Sequence, residues 1–440
     1  MDAFIAENKG NKEKLTLGFT QLNLMIKLLY DLNCHDLPPI FEKNLEAISG
    51  LLLKYLLYDN ENLHTDDESE SGLLEYVKAG IFEVLTLFVQ KYLDAIGKLV
   101  GQFVGNSWNL LTTIGQETKY DILVSRALQF LTSTAGIEQH AATFQDQATL
   151  GQVIEKVILP NITLRESDEE LFEDEPIEFI RRDLEGSDSD TRRRAATDFV
   201  RQLASKFESS VTTVVSQYAD HYLAEYAKDP ASNWKSKDTA TYLFSAIAAK
   251  GIPTASHGVT TTNQLVNIAD FFQKHLAADL VAENVHPILK VDAIKYLYLF
   301  RSIITKEQWQ EVFPMLVRHL GSSNYVVYSY AAIVVERVLA LSGADGQPFI
   351  APSAITPLSK DLLEHLFNLI EKDPSPPKVQ ENEFLMRCVM RVLIVIKEDV
   401  VRHTELVLEH LTKITKIISA NPSNPRFYYY HFESLGAFIR

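Results

Sequence analysis

Carboxylates are the residues of this chain whose number and spacing could do something chemical. Between Arg165 and Asp190 stand twelve acids and three Arg, a net of −9, interleaved with Leu171, Phe172, Ile177, Phe179 and Ile180. These acids match no catalytic motif. They do build a field that steers a basic partner and fades with salt. The interleaved apolar residues offer anchors that dock on a partner or on the protein's own face. A solvated surface is the plainer reading of the same run. A second stretch, Asp59 to Glu70, has six acids and no Lys or Arg, and reads as a solvated loop. Arg192, Arg193 and Arg194 follow the first run directly and suit bridges to acids of a neighbouring helix pair. Trp234, beside Lys235 and Lys237, suits a packing plug better than a surface anchor.

No other spacing in the sequence is catalytic. Gly-x-x-x-x-Gly-Lys-Ser/Thr, Gly-x-Gly-x-x-Gly, Gly-x-Ser-x-Gly and His-Glu-x-x-His are all absent. His403 and His410 share a helix face two turns apart but lack a carboxylate to complete a metal set, and read as packing or surface histidines. The expectation is a protein that is not an enzyme and holds no cofactor. Cys34 and Cys388 lie too far apart for a metal knuckle or a redox pair, which suits a reducing compartment. The chain opens without a basic-then-apolar leader, and no run approaches the roughly 18–20 apolar residues of a membrane span. A soluble, intracellular protein is expected, so the Asn161-Ile162-Thr163 glycosylation triplet reads as a chance match. A net charge of −16 and a pI near 5.3 argue against nucleic acid as a partner.

Helices must position these residues. Gly and Pro are sparse, at 18 and 16, and strand-like alternation is hard to find. Val407, Leu411, Ile414 and Ile418 fall on one helix face, and Ile294, Tyr298, Arg301 and Ile304 repeat the spacing. Leu15 to Leu32 is apolar over most of its circumference, which predicts a helix sandwiched between neighbours. Breakers recur at Leu37-Pro38-Pro39, Lys228-Asp229-Pro230, His286-Pro287, Ser322-Ser323-Asn324, Gly343 to Pro357, Asp373 to Pro377, and Pro422 with Pro425. Helix pairs of about 40–47 residues are the scale of HEAT or armadillo repeats, and about ten would fit. Asp190-Thr191-Arg192-Arg193-Arg194-Ala195-Ala196, leading to Phe199, Val200 and Leu203, follows the HEAT outline, and Tyr325 to Leu341 follows it more loosely. The predicted fold is all-α, a right-handed superhelical solenoid of HEAT repeats built from antiparallel helix pairs. Repeats are expected over residues 1–164, an acidic insertion or loop over 165–190, and further repeats over 191–440. Gly436 to Arg440 reads as the inside of a helix without a polar capping repeat, so the expectation is an internal piece of a longer repeat protein. The run Phe427-Tyr428-Tyr429-Tyr430, with Phe432, is expected to pack against a following helix.

These residues resemble the CAS family of nuclear export receptors, within the importin-β superfamily of HEAT-repeat karyopherins. The most specific similarity runs from Leu171-Phe172-Glu173-Asp174 through Pro176 to Asp188 and into Asp190 to Ala195. Trp108 to Leu111, Lys119 to Ser125, Asn233-Trp234-Lys235, Val291 to Tyr296, Glu383 to Arg387 and Asn421 to Phe427 are similar too. The resemblance implies a non-catalytic receptor that carries importin-α out of the nucleus in a complex with Ran-GTP. It also implies shuttling between nucleus and cytoplasm through the nuclear pore, with nucleoporins as further partners and no membrane insertion. In that family an insertion in a middle repeat contacts Ran and the cargo adaptor. By resemblance those contacts fall at Asp168, Glu169, Glu170, Phe172, Glu173, Asp174, Glu175, Arg181, Arg182 and Asp183. The family's amino-terminal Ran-binding repeats and carboxy-terminal arch have no counterpart here, so the chain would be the central part. A generic HEAT scaffold, or a karyopherin with other cargo, is the alternative.

Overall fold

Val407, Leu411, Ile414 and Ile418 line the buried side of the Thr404–Ala420 helix, as their spacing predicts, and the same rule organises most of the chain. The structure, a computed structural model, describes residues 2–184, 191–251, 253–343 and 346–439. The end of the expected insertion, 185–190, and part of the 343–357 loop therefore lie outside the described residues. The chain divides into two compact units. The first comprises Met1–Glu170, Arg182–Lys228 and Lys235–Ile247; the second comprises Leu171–Arg181, Asp229–Trp234 and Ala248–Arg440.

In the first unit, alternate helices touch. Lys12–Asn33 packs on Leu73–Lys91, that helix on Asp121–Ala135, and that one on Arg192–Lys206. The intervening Leu45–Leu56, Leu93–Thr113 and Glu208–Lys228 complete the helix pairs. Leu73–Lys91 buries residues around its whole circumference, from Leu74 and Val77 to Phe88 and Val89, because it has neighbours on every side. A π turn at Ile154–Ile158 stands just before Pro160, where a proline ring must clear the preceding turn. Asn161 is buried there and donates to the Val157 carbonyl at 2.7 Å, so its glycosylation triplet is part of the packing.

The second unit repeats the pattern through Pro287–Leu299, Tyr325–Leu339, Glu383–Ile396 and Pro425–Ile439. Lys306–His319, Ser359–Ile370 and Thr404–Ala420 are the paired helices. Three starts follow the predicted punctuation, Pro287 and Pro425 opening helices and Asn324 capping the Val326 and Val327 N–H groups; at a start that was not predicted, Thr305 with Gln308 forms a capping box. Antiparallel helix pairs stacked on their neighbours are the HEAT arrangement.

Four features of the fold differ from the sequence expectation. Ala249–Lys250 pairs antiparallel with Thr261–Thr262 in a small hairpin. Beneath that loop the fully buried Arg301 donates to the carbonyls of Tyr298, Thr254 and Ala255. Gly258, at φ +71°, leaves room for this, since a Cβ there would stand 2.4 Å from the Leu299 carbonyl oxygen. Second, the acidic insertion holds two helices, Glu166–Asp174 and Pro176–Leu184, in place of an open loop. Third, the Lys12–Asn33 helix buries Leu15, Phe19, Leu22 and Ile26 but leaves Leu24, Met25 and Leu28 more than half exposed, so the described residues cover one side of it. Fourth, Phe427 of the aromatic run is buried within the second unit, and Tyr428 donates to Gln380 at 2.5 Å. Tyr429 and Phe432 remain exposed.

Candidate functional site

Arg192 and Arg165 mark the roots of the acidic insertion, and one carboxylate holds both. Thr191 caps the Arg192–Lys206 helix by accepting from the Arg194 N–H, which turns Arg192 inward to 3% exposure. There its Nε donates to Asp121 Oδ1 at 2.6 Å, and its two terminal nitrogens donate to the Gly115 and Glu117 carbonyls at 3.0 Å each. Arg165 donates to Asp121 Oδ1 at 2.7 Å and Oδ2 at 3.0 Å, and also to the Gln116 carbonyl at 3.0 Å. Asp168 accepts from the Arg165 backbone N–H at 2.9 Å and from its guanidinium at 3.1 Å. Burial alone would raise the Asp168 pKa; the hydrogen bonds and charge of Arg165 outweigh it and hold the carboxyl below the usual Asp range. Burial likewise works against the Arg165 charge, and Asp121 with Asp168 more than offsets it. Arg193 pairs with the fully buried Asp238, its guanidinium 3.4 Å from the Tyr242 ring centroid. Lys235 pairs with Glu169.

From these roots the chain enters two short helices. Glu166, Asp168 and Glu169 sit in the first turn of Glu166–Asp174, where the positive end of the helix favours acids. Residues Leu171–Arg181 belong to the second unit. Phe172 is 4% exposed and meets Phe179 edge-on with centroids 5.1 Å apart, and Ile180 is fully buried. Arg181 lies 3.9 Å from the buried Glu383 carboxylate, which also accepts from Asn424 at 3.0 Å and faces Arg426 at 3.8 Å. The apolar members of the run dock on the protein's own face.

The ten residues expected to contact partners thus separate. Asp168, Glu169, Phe172 and Arg181 hold the insertion in place. Glu170, Glu173, Asp174, Glu175, Arg182 and Asp183 are exposed. Glu173 and Asp174 end their helix, where the dipole opposes a negative charge, so local stability does not account for them.

The second acidic stretch is fixed to the same turn. Lys119 N–H and Thr118 Oγ1 both donate to the Glu68 carbonyl, at 3.0 and 3.1 Å, and Ser71 Oγ donates to the Lys119 carbonyl at 2.6 Å. Leu63 plugs the loop, Asp59 pairs with His64 at 2.7 Å, and the six acids are exposed. Sequence reasoning anticipated the Arg192 and Arg193 bridges but missed Asp121 and Asp238 as their partners, and missed Lys235 as the partner of Glu169 and Glu383 as that of Arg181. The usable signal was positional: Asp121 and Arg192 both open helices of the inner stack.

Among the described residues, no group of three or more His, Cys, Asp or Glu could hold a metal ion, and no helix is long and apolar enough to cross a membrane. His403 bonds to Ser359 Oγ at 2.8 Å, and His410 bonds to Glu371 at 2.6 Å while stacked on Phe367; both are packing residues. Trp234 stacks on His286 with ring centroids 3.7 Å apart, the expected plug.

Two family models cover the chain: Cse1 over residues 1–335, and CAS/CSE protein, C-terminus, over 336–440. The importin alpha re-exporter of Saccharomyces cerevisiae (strain ATCC 204508 / S288c) is 44% identical across 100% of this chain and 46% of its own length. Exportin-2 of Pagrus major is 44% identical across 97% of this chain and 44% of its own length. A solved structure, the exportin Cse1 in its cargo-free, cytoplasmic state, matches with a TM-score of 0.94 at 43% identity, over 100% of this chain and 46% of that one. The chain spans about half the length of the relatives it matches. With the anchored insertion, the stacked helix pairs and this end-to-end similarity in hand, the chain belongs to the CAS/Cse1 family of exportins.

Proposed function

We propose that this chain is the central part of a nuclear export receptor that carries importin-α from nucleus to cytoplasm in a complex with Ran-GTP. The observation that carries the reading is 44% identity over the whole chain to a protein named importin alpha re-exporter. The backbone agreement with a cargo-free exportin supports it. On this reading Glu170, Glu173, Asp174 and Glu175, with Arg182 and Asp183, meet basic surfaces of Ran or importin-α. Asp168, Glu169, Phe172 and Arg181 give that surface its shape.

The receptor works by linked binding and not by catalysis. Cargo and Ran-GTP favour the same receptor state, a coupling of typically about 1–3 kcal/mol. Helix pairs that touch only their neighbours let small rotations accumulate into such a change of state. The receptor shuttles through the nuclear pore, where nucleoporins are further partners. A generic HEAT scaffold would bind its partners without regard to the nucleotide. The test is size-exclusion chromatography of the complete polypeptide carrying these residues, mixed with importin-α and with Ran loaded with GTP or GDP. Co-elution of all three with GTP alone is expected; equal co-elution with GDP, or none with GTP, overturns the reading.

A further inference from the structure

Arg165 and Arg192 stand at opposite ends of the insertion, yet their guanidinium groups meet at the carboxylate of Asp121. Two cations brought this close repel one another: burial lowers the Arg192 pKa first, and the charge of Arg165 lowers it further. Asp121 pairs with both, and it does so from a fixed base. It is the first residue of the Asp121–Ala135 helix, in the inner stack of the first unit. The preceding turn is braced twice: by Arg165 and Arg192 on the Gly115, Gln116 and Glu117 carbonyls, and by the 59–70 loop on Thr118 and Lys119. Without the Asp121 charge, Asp168 is the carboxylate left to the two guanidiniums among the described contacts. Asp168 belongs to the insertion itself, so its bonds fix Arg165 within that segment, and the tie to the stack runs through Asp121. The turn keeps its bonds to the 59–70 loop, so the parts that give way are the roots of the insertion.

We propose that Asp121 is the positioning residue for the roots of the acidic insertion, a single carboxylate that ties both of them to the helix stack of the first unit and so sets the geometry of Glu170 and Asp183, the exposed acids beside those roots. The proposal touches partner binding only through the reading of the insertion as a partner contact, and its test keeps the two apart. Hydrogen–deuterium exchange is measured on peptides from 166–184 and from the distant Tyr325–Leu339 helix. Affinity for Ran-GTP with importin-α is measured in parallel on the complete polypeptide. Asp121→Asn is expected to speed exchange in 166–184 by about tenfold or more, with the distant helix unchanged, and to weaken partner binding. Arg165→Gln frees one root while leaving the start of the helix and Arg192 intact, and carries the test if Asp121→Asn does not fold. The double variant distinguishes positioning from a general weakening of the helix: acting through Arg165, the two substitutions are less than additive in affinity. Unchanged exchange in 166–184 for both single variants, or full additivity, overturns the proposal. Faster exchange at unchanged affinity supports the positioning role and overturns the insertion as a partner contact.

Discussion

Asp168 accepts from both the backbone and the guanidinium of Arg165, while Glu173, five residues further on, is exposed at the end of its helix. The same chemical group therefore stabilises structure in one place and supplies surface charge in the other. The sign of the Asp168 shift fits the first role. With its folded pKa below the usual 3.8, its contribution is complete above that value and is lost only as the pH falls through the lower one. At neutral pH the root of the insertion is fully tied. Changing Glu170, Glu173, Asp174 and Glu175 together to Gln or Asn should leave thermal stability within about 0.5 kcal/mol. The same change should slow association with a basic partner about tenfold at low salt. Phe172→Ala makes the opposite trade: a buried ring is lost, costing about 3 kcal/mol, and the surface charge is untouched. Calorimetry and stopped-flow association on the two variants separate the roles; a quadruple variant that unfolds early would contradict this division.

At the scale of the helix, the last one, Pro425–Ile439, depends on a buried base. His431 is fully buried, bonds to Thr415 Oγ1 at 2.8 Å and lies parallel to Phe427. Burial pushes its pKa down to about 4 from 6.5. In the unfolded chain it takes up a proton near pH 6.5, in the folded helix only near 4. Stability is therefore full above about pH 6.5 and drains away as the pH falls toward 4, by about 3 kcal/mol in total. His431→Gln should remove that share of the slope, read as the difference between wild-type and variant melting curves at pH 7, 5.5 and 4.5; parallel curves would exclude the effect. Helices of this kind were largely legible in the sequence. Their apolar spacing marked the core face, as in Val407 to Ile418, and Pro or Asn marked their starts. The insertion helices were not: Ile177, Ile180 and Leu184 do stand at i, i+3 and i+7 of the second, but each helix is only nine residues long and the acids around it dominate the pattern. The hairpin at Ala249–Lys250 was also hidden, since two-residue strands leave no alternation to detect. Asp121 escaped for another reason: its partners stand 44 and 71 residues away, and a bond of that span follows from the stacking of helices, not from any local pattern.

For the molecule as a whole, charge is placed and not spread. The segments 165–190 and 59–70 carry −9 and −6 of a net −16, leaving the helix stack nearly neutral. The 115–121 turn fixes both the roots of the first segment and the body of the second, so the acids at those roots and the 59–70 loop share one braced region of the first unit. Fields from fixed charges add, and in physiological salt they decay over about 8 Å. The 59–70 loop should then contribute to the capture rate of a basic partner without forming the bound contact. Replacing its six acids with Asn or Gln is expected to lower the association rate with Ran-GTP and importin-α two- to threefold at low ionic strength, with the dissociation rate unchanged. The gap should close at about 0.5 M salt, where screening leaves little reach beyond contact. The measurement is association rate against ionic strength for the wild type and the neutralised loop. Two lines of equal slope would place the loop outside the field the partner meets, and a faster dissociation would make it a direct contact.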